Sequence, residues 1–316
     1  MTTQIICSLL FLFAALSHAQ VPVVLVLKKG GTSEGVLMGK TDAGVRLQPK
    51  GATAGEYQLS FDQITEFRFV YPESIAQAQE ALNQNQHDRV AAILKPIATP
   101  LLPYLDLPNN NGLLLVMTLA DSLRRTGKFE EALNYFEKLR ALPKSPDSIR
   151  AGVWAAHCHA VLGRTDAAWK LLQTIDPPKR DQELFGQNQL VRAQVRFAQK
   201  DYLAALDEVS LGIACSRMES ELFPESLFLA GQCYEALADT NVLHSALQST
   251  RLAQATVPST NRVQTAVVTN VIPASSSATN YAAVAQSIYR EIVTGFSNTA
   301  WAARSLSKLS TKEPQP

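Results

Sequence analysis

The sequence predicts a mainly α-helical protein that begins with a small β domain. Between residues 21 and 71, five short runs typical of β-strands are separated by turn residues: the first, at 23–27, is apolar throughout and mostly β-branched, and later runs such as 45–47 and 57–61 alternate apolar and polar residues. From residue 74 to residue 309, apolar residues recur at helical spacing, and a similar pair of helices returns about every 36 residues. With 46% hydrophobic and 18% charged residues, the chain has the composition of a folded protein.

The N-terminus predicts an export signal. An apolar run at residues 5–16 is followed by the small residues Ser17 and Ala19, so we expect cleavage after Ala19 and removal of residues 1–19. The run is shorter than the roughly 20 residues that cross a bilayer as a helix. The expected product is a periplasmic or secreted protein without a mature transmembrane helix. No Lys or Arg precedes the run, and an uncleaved N-terminal anchor is the alternative.

The β domain at residues 21–71 is expected to close on itself, because five short strands cannot cover both faces of an open sheet. Two segments carry a resemblance to the SH3-like barrels of the Sm-like type. The first is the turn at residues 28–35, which leads into a Gly-Val-Leu strand, and the second is residues 59–64, which lead into the last strand. The resemblance implies a small five-stranded β-barrel, which we expect to pack as a structural domain.

One helical pair stands out in residues 119–139. Two apolar-faced helices meet at Gly127, which can take the left-handed conformation that ends a helix. Ala120 and Ala132 are small where the two helices must approach each other, and Phe136 fills the space beside them. This segment resembles the tetratricopeptide repeat (TPR), and the resemblance implies a TPR-type α-solenoid over residues 74–309.

Further copies of this pattern follow and precede it. Two later copies keep its spacing. The first contains Ala156, Gly163 and Ala168, and the second contains Ala193, Lys200 and Ala205, where Lys200 replaces the turn glycine. Gly231 marks another first helix, and Ala285, Tyr289 and Ile292 restate the second-helix spacing. The predicted loop insertion at residues 256–280 separates these last two segments. A degenerate copy lies around Ala91, followed by a Pro- and Asn-containing connection at residues 96–112. Residues 310–316 are expected to form a C-terminal tail.

Repeats of this kind stack their helix pairs and present the first helices as a groove for a protein or peptide partner. Outward positions by helical spacing form the predicted partner groove: Met117, Asp121, Arg124, Arg125, Arg150, Val153, His157, Leu190, Gln194, Phe197, Phe228, Gln232 and Glu235. The first helices do not supply the Lys and Asn residues with which chaperone-binding repeats grip a C-terminal carboxylate, so that ligand is not expected. Trp154, Trp169 and Trp301 are expected to pack in the core.

The chain lacks the sequence signals of catalytic, cofactor and nucleic-acid sites. A net charge of +1 provides no basic excess for binding phosphates, and there is no Gly-rich phosphate loop, nucleophile elbow or paired-cysteine motif. His157, Cys158 and His159 cannot converge on a metal, because neighbours on a helix point about 100° apart. We expect Cys158 to face inward and His157 outward.

Three cysteines remain after removal of the signal peptide, and an odd number cannot all pair within one chain. Cys158 and Cys233 lie among apolar residues of predicted helices, so buried free thiols are expected. A disulfide between Cys215 and Cys233 is the alternative.

The resulting hypothesis is an exported, non-catalytic TPR scaffold that mediates protein–protein interaction in the cell envelope. The alternative is a structural subunit of a secretion, pilus or outer-membrane assembly complex. It draws on residues 295–302, which resemble repeat junctions of envelope proteins related to outer-membrane assembly and cell-division coordinators. A third hypothesis is an envelope enzyme with an unrecognised site.

Overall fold

The computed structural model of the protein describes residues 21–52, 55–143, 145–175, 183–218, 220, 222–238 and 278–310. The predicted signal peptide at 1–19, the predicted insertion up to residue 277 and the tail beyond residue 310 lie outside these residues. The chain divides into two compact units, residues 1–119 and 120–316. The predicted change from strands to helices near residue 72 thus falls inside the first unit.

Five antiparallel strands form the sheet of the first unit. They are β1 Val21–Leu27, β2 Thr32–Lys40, β3 Gly44–Pro49, β4 Tyr57–Ser60 and β5 Ile64–Phe69. Their order across the sheet is β4-β3-β2-β1-β5, and a 3-10 turn at Phe61–Gln63 joins β4 to β5. Alternate residues of the strands are buried, as in β1, where Val21, Val23 and Leu25 are at most 1% exposed. The period-2 pattern therefore identifies the core face of the sheet.

The asparagine-rich connection covers the outer edge of β5. Asn111 binds Phe69 twice, since its Oδ1 accepts from the Phe69 N–H at 2.8 Å and its Nδ2 donates to the Phe69 carbonyl at 3.1 Å. The Phe67 N–H donates to the Asn109 carbonyl, and Asn110 forms a parallel bridge with Phe67. These bonds satisfy backbone groups that an edge strand would otherwise leave open.

Helices make up the rest of the described chain. Their bounds are α1 Pro72–Asn83, α2 His87–Ala98, α3 Gly112–Arg125, α4 Phe129–Arg140, α5 Pro146–Val161, α6 Thr165–Thr174, α7 Glu183–Ala198, α8 Tyr202–Cys215, α9 Phe223–Leu237, α10 Ala278–Gly295 and α11 Ala300–Ser310. From α4 onward, each described helix packs against the next along the chain, and α5 also packs against α7, as α7 does against α9. The second unit is thus a stack of helical hairpins, a solenoid of the TPR type.

A common turn ends the first helix of four hairpins. One residue of each turn has a positive φ: Asn85 (55°), Gly127 (79°), Gly163 (76°) and Lys200 (64°). In each case the N–H of the following residue donates to a carbonyl five residues earlier, for example from Lys128 to Leu123 and from Asp201 to Arg196. This arrangement is the Schellman motif, which caps the last carbonyls of a helix. The turn predicted at Gly127 therefore recurs at the predicted positions Gly163 and Lys200, and also at Asn85, where no turn is predicted.

The predicted small residues are buried in the second helices. Ala132 of α4, Ala168 of α6 and Ala205 of α8 are each 0% exposed. In α9, a Cβ atom on Gly231 would lie 2.7 Å from Cε1 of Tyr289, which only glycine avoids. The tight contact holds α10 against α9, as the second-helix spacing of Ala285, Tyr289 and Ile292 predicts.

The three described cysteines are free thiols. Cys158 and Cys233 are buried, as predicted, and burial raises the pKa of both thiols to about 12. Thiols with such pKa values are chemically inert near neutral pH. The alternative of a Cys215–Cys233 disulfide is not realised.

No helix in the described part of the chain combines the length and apolar character needed to span a membrane.

Candidate functional site

A pocket opens on the face that the first helices of successive hairpins form in the second unit. Its volume is about 270 Å³. Residues from four helices line it: Ala160 and Val161 of α5, Gln194 and Phe197 of α7, Glu225, Phe228, Leu229 and Gln232 of α9, and Trp301 and Arg304 of α11. Four members of the predicted groove, Gln194, Phe197, Phe228 and Gln232, are thereby brought together.

Aromatic and aliphatic side chains form most of the pocket wall. The rings of Phe228 and Trp301 lie 5.2 Å apart between centroids, and Phe228 also contacts Tyr289 of α10 at 5.6 Å. These contacts fix the position of Phe228, which is 6% exposed. At the rim, Val161 is 49% exposed, although it is aliphatic. Exposed apolar surface beside a fixed aromatic wall is typical of a binding surface.

The polar part of the pocket consists of the Glu225 carboxyl, the Arg304 guanidinium and the amides of Gln194 and Gln232. Gln194 Nε2 donates a hydrogen bond of 2.9 Å to Glu225 Oε1. Burial raises the pKa of the Glu225 carboxyl, and the charges of Arg124, Arg125 and Arg304 and the bond from Gln194 offset only part of the rise. A carboxyl with a raised pKa in an apolar pocket is a frequent mark of a functional site.

Asp121 organises the arginines predicted at the start of the groove. Arg124 donates to Asp121 Oδ1 at 2.8 and 2.9 Å, and Arg125 donates to Oδ2 at 2.7 Å. Burial would raise the pKa of Asp121, but these two arginines hold it below its ordinary value. The Arg124 guanidinium also lies 3.9 Å from the centroid of the Trp154 ring and is 7% exposed. Arg124 therefore joins α3 to α5, and Arg125 is the exposed arginine of the pair.

The predicted outward orientation of His157 is wrong. The side chain is 5% exposed and lies between the rings of Phe129, at 5.9 Å, and Trp154, at 5.5 Å. Burial, together with the charge of Arg124, lowers the pKa of His157 to about 3. Helical spacing places His157 on the same face of α5 as Ala160 and Val161, which line the pocket. At His157 itself, however, the face is covered by Phe129 of α4 and by Trp154.

The remaining predicted groove residues lie in different surroundings. Val153 and Leu190 are buried in the core, at 0% and 1% exposure, which contradicts their predicted exposure. Glu235 is part of a contact between helices, since it accepts from the Tyr289 hydroxyl at 3.2 Å and from Lys308 at 2.8 Å. Arg150 is partly buried, and Met117, which belongs to the first unit, is partly buried as well.

Six lining residues are absent from the predicted groove: Ala160, Val161, Glu225, Leu229, Trp301 and Arg304. A signal for Glu225 exists, since it lies three residues before Phe228 and so on the same face of α9. Trp301 and Arg304 belong to α11, the first helix that follows the last hairpin. Trp301 is partly buried and packs against the hydrophobic core, as expected, and it also lines the pocket. Trp154 is buried, as expected.

A match to a protein-family model supports the repeat architecture in part of the second unit. Residues 123–187 match the family model described as tetratricopeptide repeat. The chain is also similar to two solved structures titled as nearly identical TPR-like repeats of a putative kinesin light chain from Podosopora anserina, one of them a point variant. Each structure is 16% identical to this chain and covers 58% of it. The matched region spans 94% of the first structure and 93% of the second, with TM-scores of 0.40 and 0.41. No curated protein matches the chain significantly.

Proposed function

We propose that the protein is a scaffold that binds a partner protein or peptide on the first-helix face of its repeats. TPR repeats imply protein partners, and the pocket is the observation that carries the proposal. It draws on four helices of successive hairpins, its aromatic wall is fixed by contacts beneath it, and its rim is apolar and exposed. A docking surface of this kind does not need catalytic groups, and we propose a non-catalytic role.

We further infer that the protein is exported and acts in the cell envelope. The support is the apolar run at residues 5–16 with small residues before the predicted cleavage point at Ala19. We expect the mature chain to begin at Gln20, and N-terminal sequencing of the protein from its native host tests this. The alternative role, a structural subunit of an envelope assembly complex, would use the outer faces of the repeats instead of the pocket.

We also infer that the N-terminal sheet is a small barrel of the SH3-like kind. The linear order β4-β3-β2-β1-β5 and the 3-10 turn between β4 and β5 support this. We assign the sheet a structural role, because the described contacts that it makes outside its own strands include those of residues 109–111, which cover the edge of β5.

A photo-crosslinking experiment tests the scaffold proposal. A photoreactive amino acid is placed at Gln232, in the pocket, and in a matched variant at Lys138, an exposed residue of α4 outside it. In intact cells, the Gln232 variant is expected to give a discrete crosslinked partner that the Lys138 variant does not give. Crosslinks of equal yield and identity from both positions would favour the structural-subunit alternative, and an absence of crosslinks at Gln232 would contradict the proposal.

A further inference from the structure

The pocket contains two hydrogen-bond acceptors, Gln194 Oε1 and the Glu225 carboxyl, that the described residues leave unpaired or only partly paired. Gln194 Nε2 is used by Glu225, while the buried Gln194 Oε1 accepts no hydrogen bond from any residue that the structure describes. Glu225 is partly buried, and burial raises the pKa of its carboxyl. Both groups would be stabilised by a ligand that brings hydrogen-bond donors into the pocket.

The arginines nearest to Glu225 do not provide these donors. Arg124 and Arg125 donate to Asp121, and the Arg304 guanidinium lies 4.6 Å from the centroid of the Trp301 ring. Within the described residues, none of the three forms an ion pair with Glu225. Arg304 lines the same pocket, and the charges of all three arginines act on Glu225, but no cation among the described residues forms an ion pair with its carboxyl.

From this arrangement we propose that the pocket binds a lysine or arginine side chain of an extended partner segment. The aliphatic stem would lie against Phe197, Phe228 and Val161, and the charged end would donate to Gln194 Oε1 and to the Glu225 carboxylate. This inference rests on the proposed function, because it names the partner chemistry that the same face would recognise.

Size and charge both favour such a side chain. A volume of about 270 Å³ lies just below the roughly 300–1,000 Å³ of small-molecule sites, and suits one long side chain. Charge-assisted hydrogen bonds are the strongest bonds that a carboxylate accepts, and aromatic rings attract cations as well. A ligand cation in direct contact with Glu225 would form the ion pair that this carboxyl lacks among the described residues, against the repulsion of Arg304 in the same pocket. Asp121 neutralises one of the two positive charges of Arg124 and Arg125.

The test is a titration of the full chain with short blocked peptides. The peptides have the sequence Gly-Ala-X-Ala-Gly, acetylated and amidated, with arginine, lysine, norleucine, tyrosine or glutamate at X. Binding is followed by NMR through the indole N–H of Trp301, which W301F assigns among the three tryptophans of the chain. The arginine and lysine peptides are expected to shift this signal in a saturable manner, with norleucine at least about tenfold weaker.

Two variants separate a contact with Glu225 from a general effect of charge. Glu225→Gln is expected to weaken arginine-peptide binding at least about tenfold, to the level of norleucine. The matched control is Glu208→Gln, which removes a carboxylate that pairs with Arg192 at 3.0 Å outside the pocket and should leave binding unchanged. An unchanged indole signal of Trp154 shows that each variant is folded.

The pH dependence provides a second readout. The groups that act on Glu225 are Arg124 and Arg125 from α3, Gln194 from α7 and Arg304 from α11. Because the pKa of Glu225 is raised, arginine-peptide affinity should fall on acidification at a higher pH than an ordinary glutamate would give. Glu225→Gln should remove this dependence.

The outcomes distinguish this inference from the scaffold proposal. Equal binding of norleucine, tyrosine or glutamate peptides, undiminished binding to Glu225→Gln, or no shift of Trp301 with any peptide would overturn the assignment of a basic side chain. If the Gln232 photo-crosslinks still form, the scaffold proposal stands and only the pocket chemistry fails. If both experiments fail, the first-helix face is not the docking surface.

Discussion

Each hairpin turn needs one residue in the left-handed backbone conformation, and the chain meets this need with three different amino acids. Glycine takes this conformation without steric cost at Gly127 and Gly163, whereas Asn85 and Lys200 carry a Cβ atom into it. Asparagine is the best tolerated of the other residues, and lysine is strained there. The hairpin of α7 and α8 is therefore closed by packing and by its Schellman bonds in spite of its turn residue.

Replacing Lys200 with glycine is expected to stabilise the second unit by about 1 kcal/mol, because the strain at φ 64° is removed. The opposite change, Gly163→Ala, should destabilise it by about 1 kcal/mol. At Gly163 a Cβ atom would have no neighbour within 4 Å, so backbone strain alone would act. Urea denaturation measures both free energies of unfolding. A Lys200→Gly variant less stable than the wild type would contradict this explanation.

The burial of His157 makes the free energy of unfolding depend on pH. Its pKa is about 3 in the folded state and about 6.5 in an unfolded chain. Between these values the unfolded chain binds the extra proton, so stability falls as the pH drops below about 6.5. The contribution is fully present above about pH 6.5, and about 2 kcal/mol of it is lost between about pH 7 and 5.

His157→Phe keeps a ring between Phe129 and Trp154 and should flatten this part of the stability profile. The measurement is urea denaturation at about pH 7, 6 and 5 of the variant and of the wild type. His159→Phe is the comparison variant: burial also lowers the pKa of His159, but this side chain is less deeply buried than His157, so a smaller flattening is expected. Equal slopes in the wild type and His157→Phe would show that His157 does not control the pH dependence.

At the scale of elements, the connection between α2 and α3 acts as an edge cover for the sheet. Its sequence predicts only a turn-rich connection, because hydrogen bonds between an asparagine side chain and a distant strand leave no periodic pattern. Asn111→Ala should destabilise the first unit by about 2 kcal/mol, since two hydrogen bonds to Phe69 are lost and its backbone is left unpaired.

Asn111→Asp retains the acceptor and loses the donor, so an intermediate effect is expected. Asn83→Ala, at a position of α1 away from this edge, is the control and should change stability little. Hydrogen exchange of the β5 amides is the measurement, and the Phe69 amide should lose the most protection in Asn111→Ala. Uniform loss of protection across the sheet would contradict a local role for the edge cover.

At the scale of the whole chain, the helices can be predicted from the sequence because the hairpin pattern repeats along it. The pocket and the burial of His157 cannot, because they depend on how the hairpins stack. Gly127, Ala132 and Ala168 recur at fixed spacing because each hairpin needs the same turn and the same close crossing. The pocket depends on contacts between hairpins, such as Phe228 with Trp301, and spacing within one helix does not encode them. His157 was wrongly placed for this reason, since the helix that covers it belongs to the preceding hairpin.

Contacts between neighbouring hairpins should therefore control the cooperativity of the second unit. Trp169 of α6 lies against two arginines of α7, with its ring centroid 4.9 Å from Arg192 and 4.0 Å from Arg196. In a stacked-repeat protein, stability is approximately a sum of terms for each repeat and for each interface between neighbours. Trp169 thus joins the hairpin of α5 and α6 to the hairpin of α7 and α8.

Trp169→Ala should destabilise the second unit by about 2 kcal/mol through lost packing and cation–π contacts, and should broaden its urea transition as the two halves uncouple. Trp169→Phe keeps a ring against the arginines and should recover part of both effects. Hydrogen exchange resolves the halves, because α7 and α8 should lose protection separately from α4 and α5 in Trp169→Ala. If all these helices lose protection together and the denaturant slope is unchanged, Trp169 stabilises the unit as a whole and does not couple its hairpins.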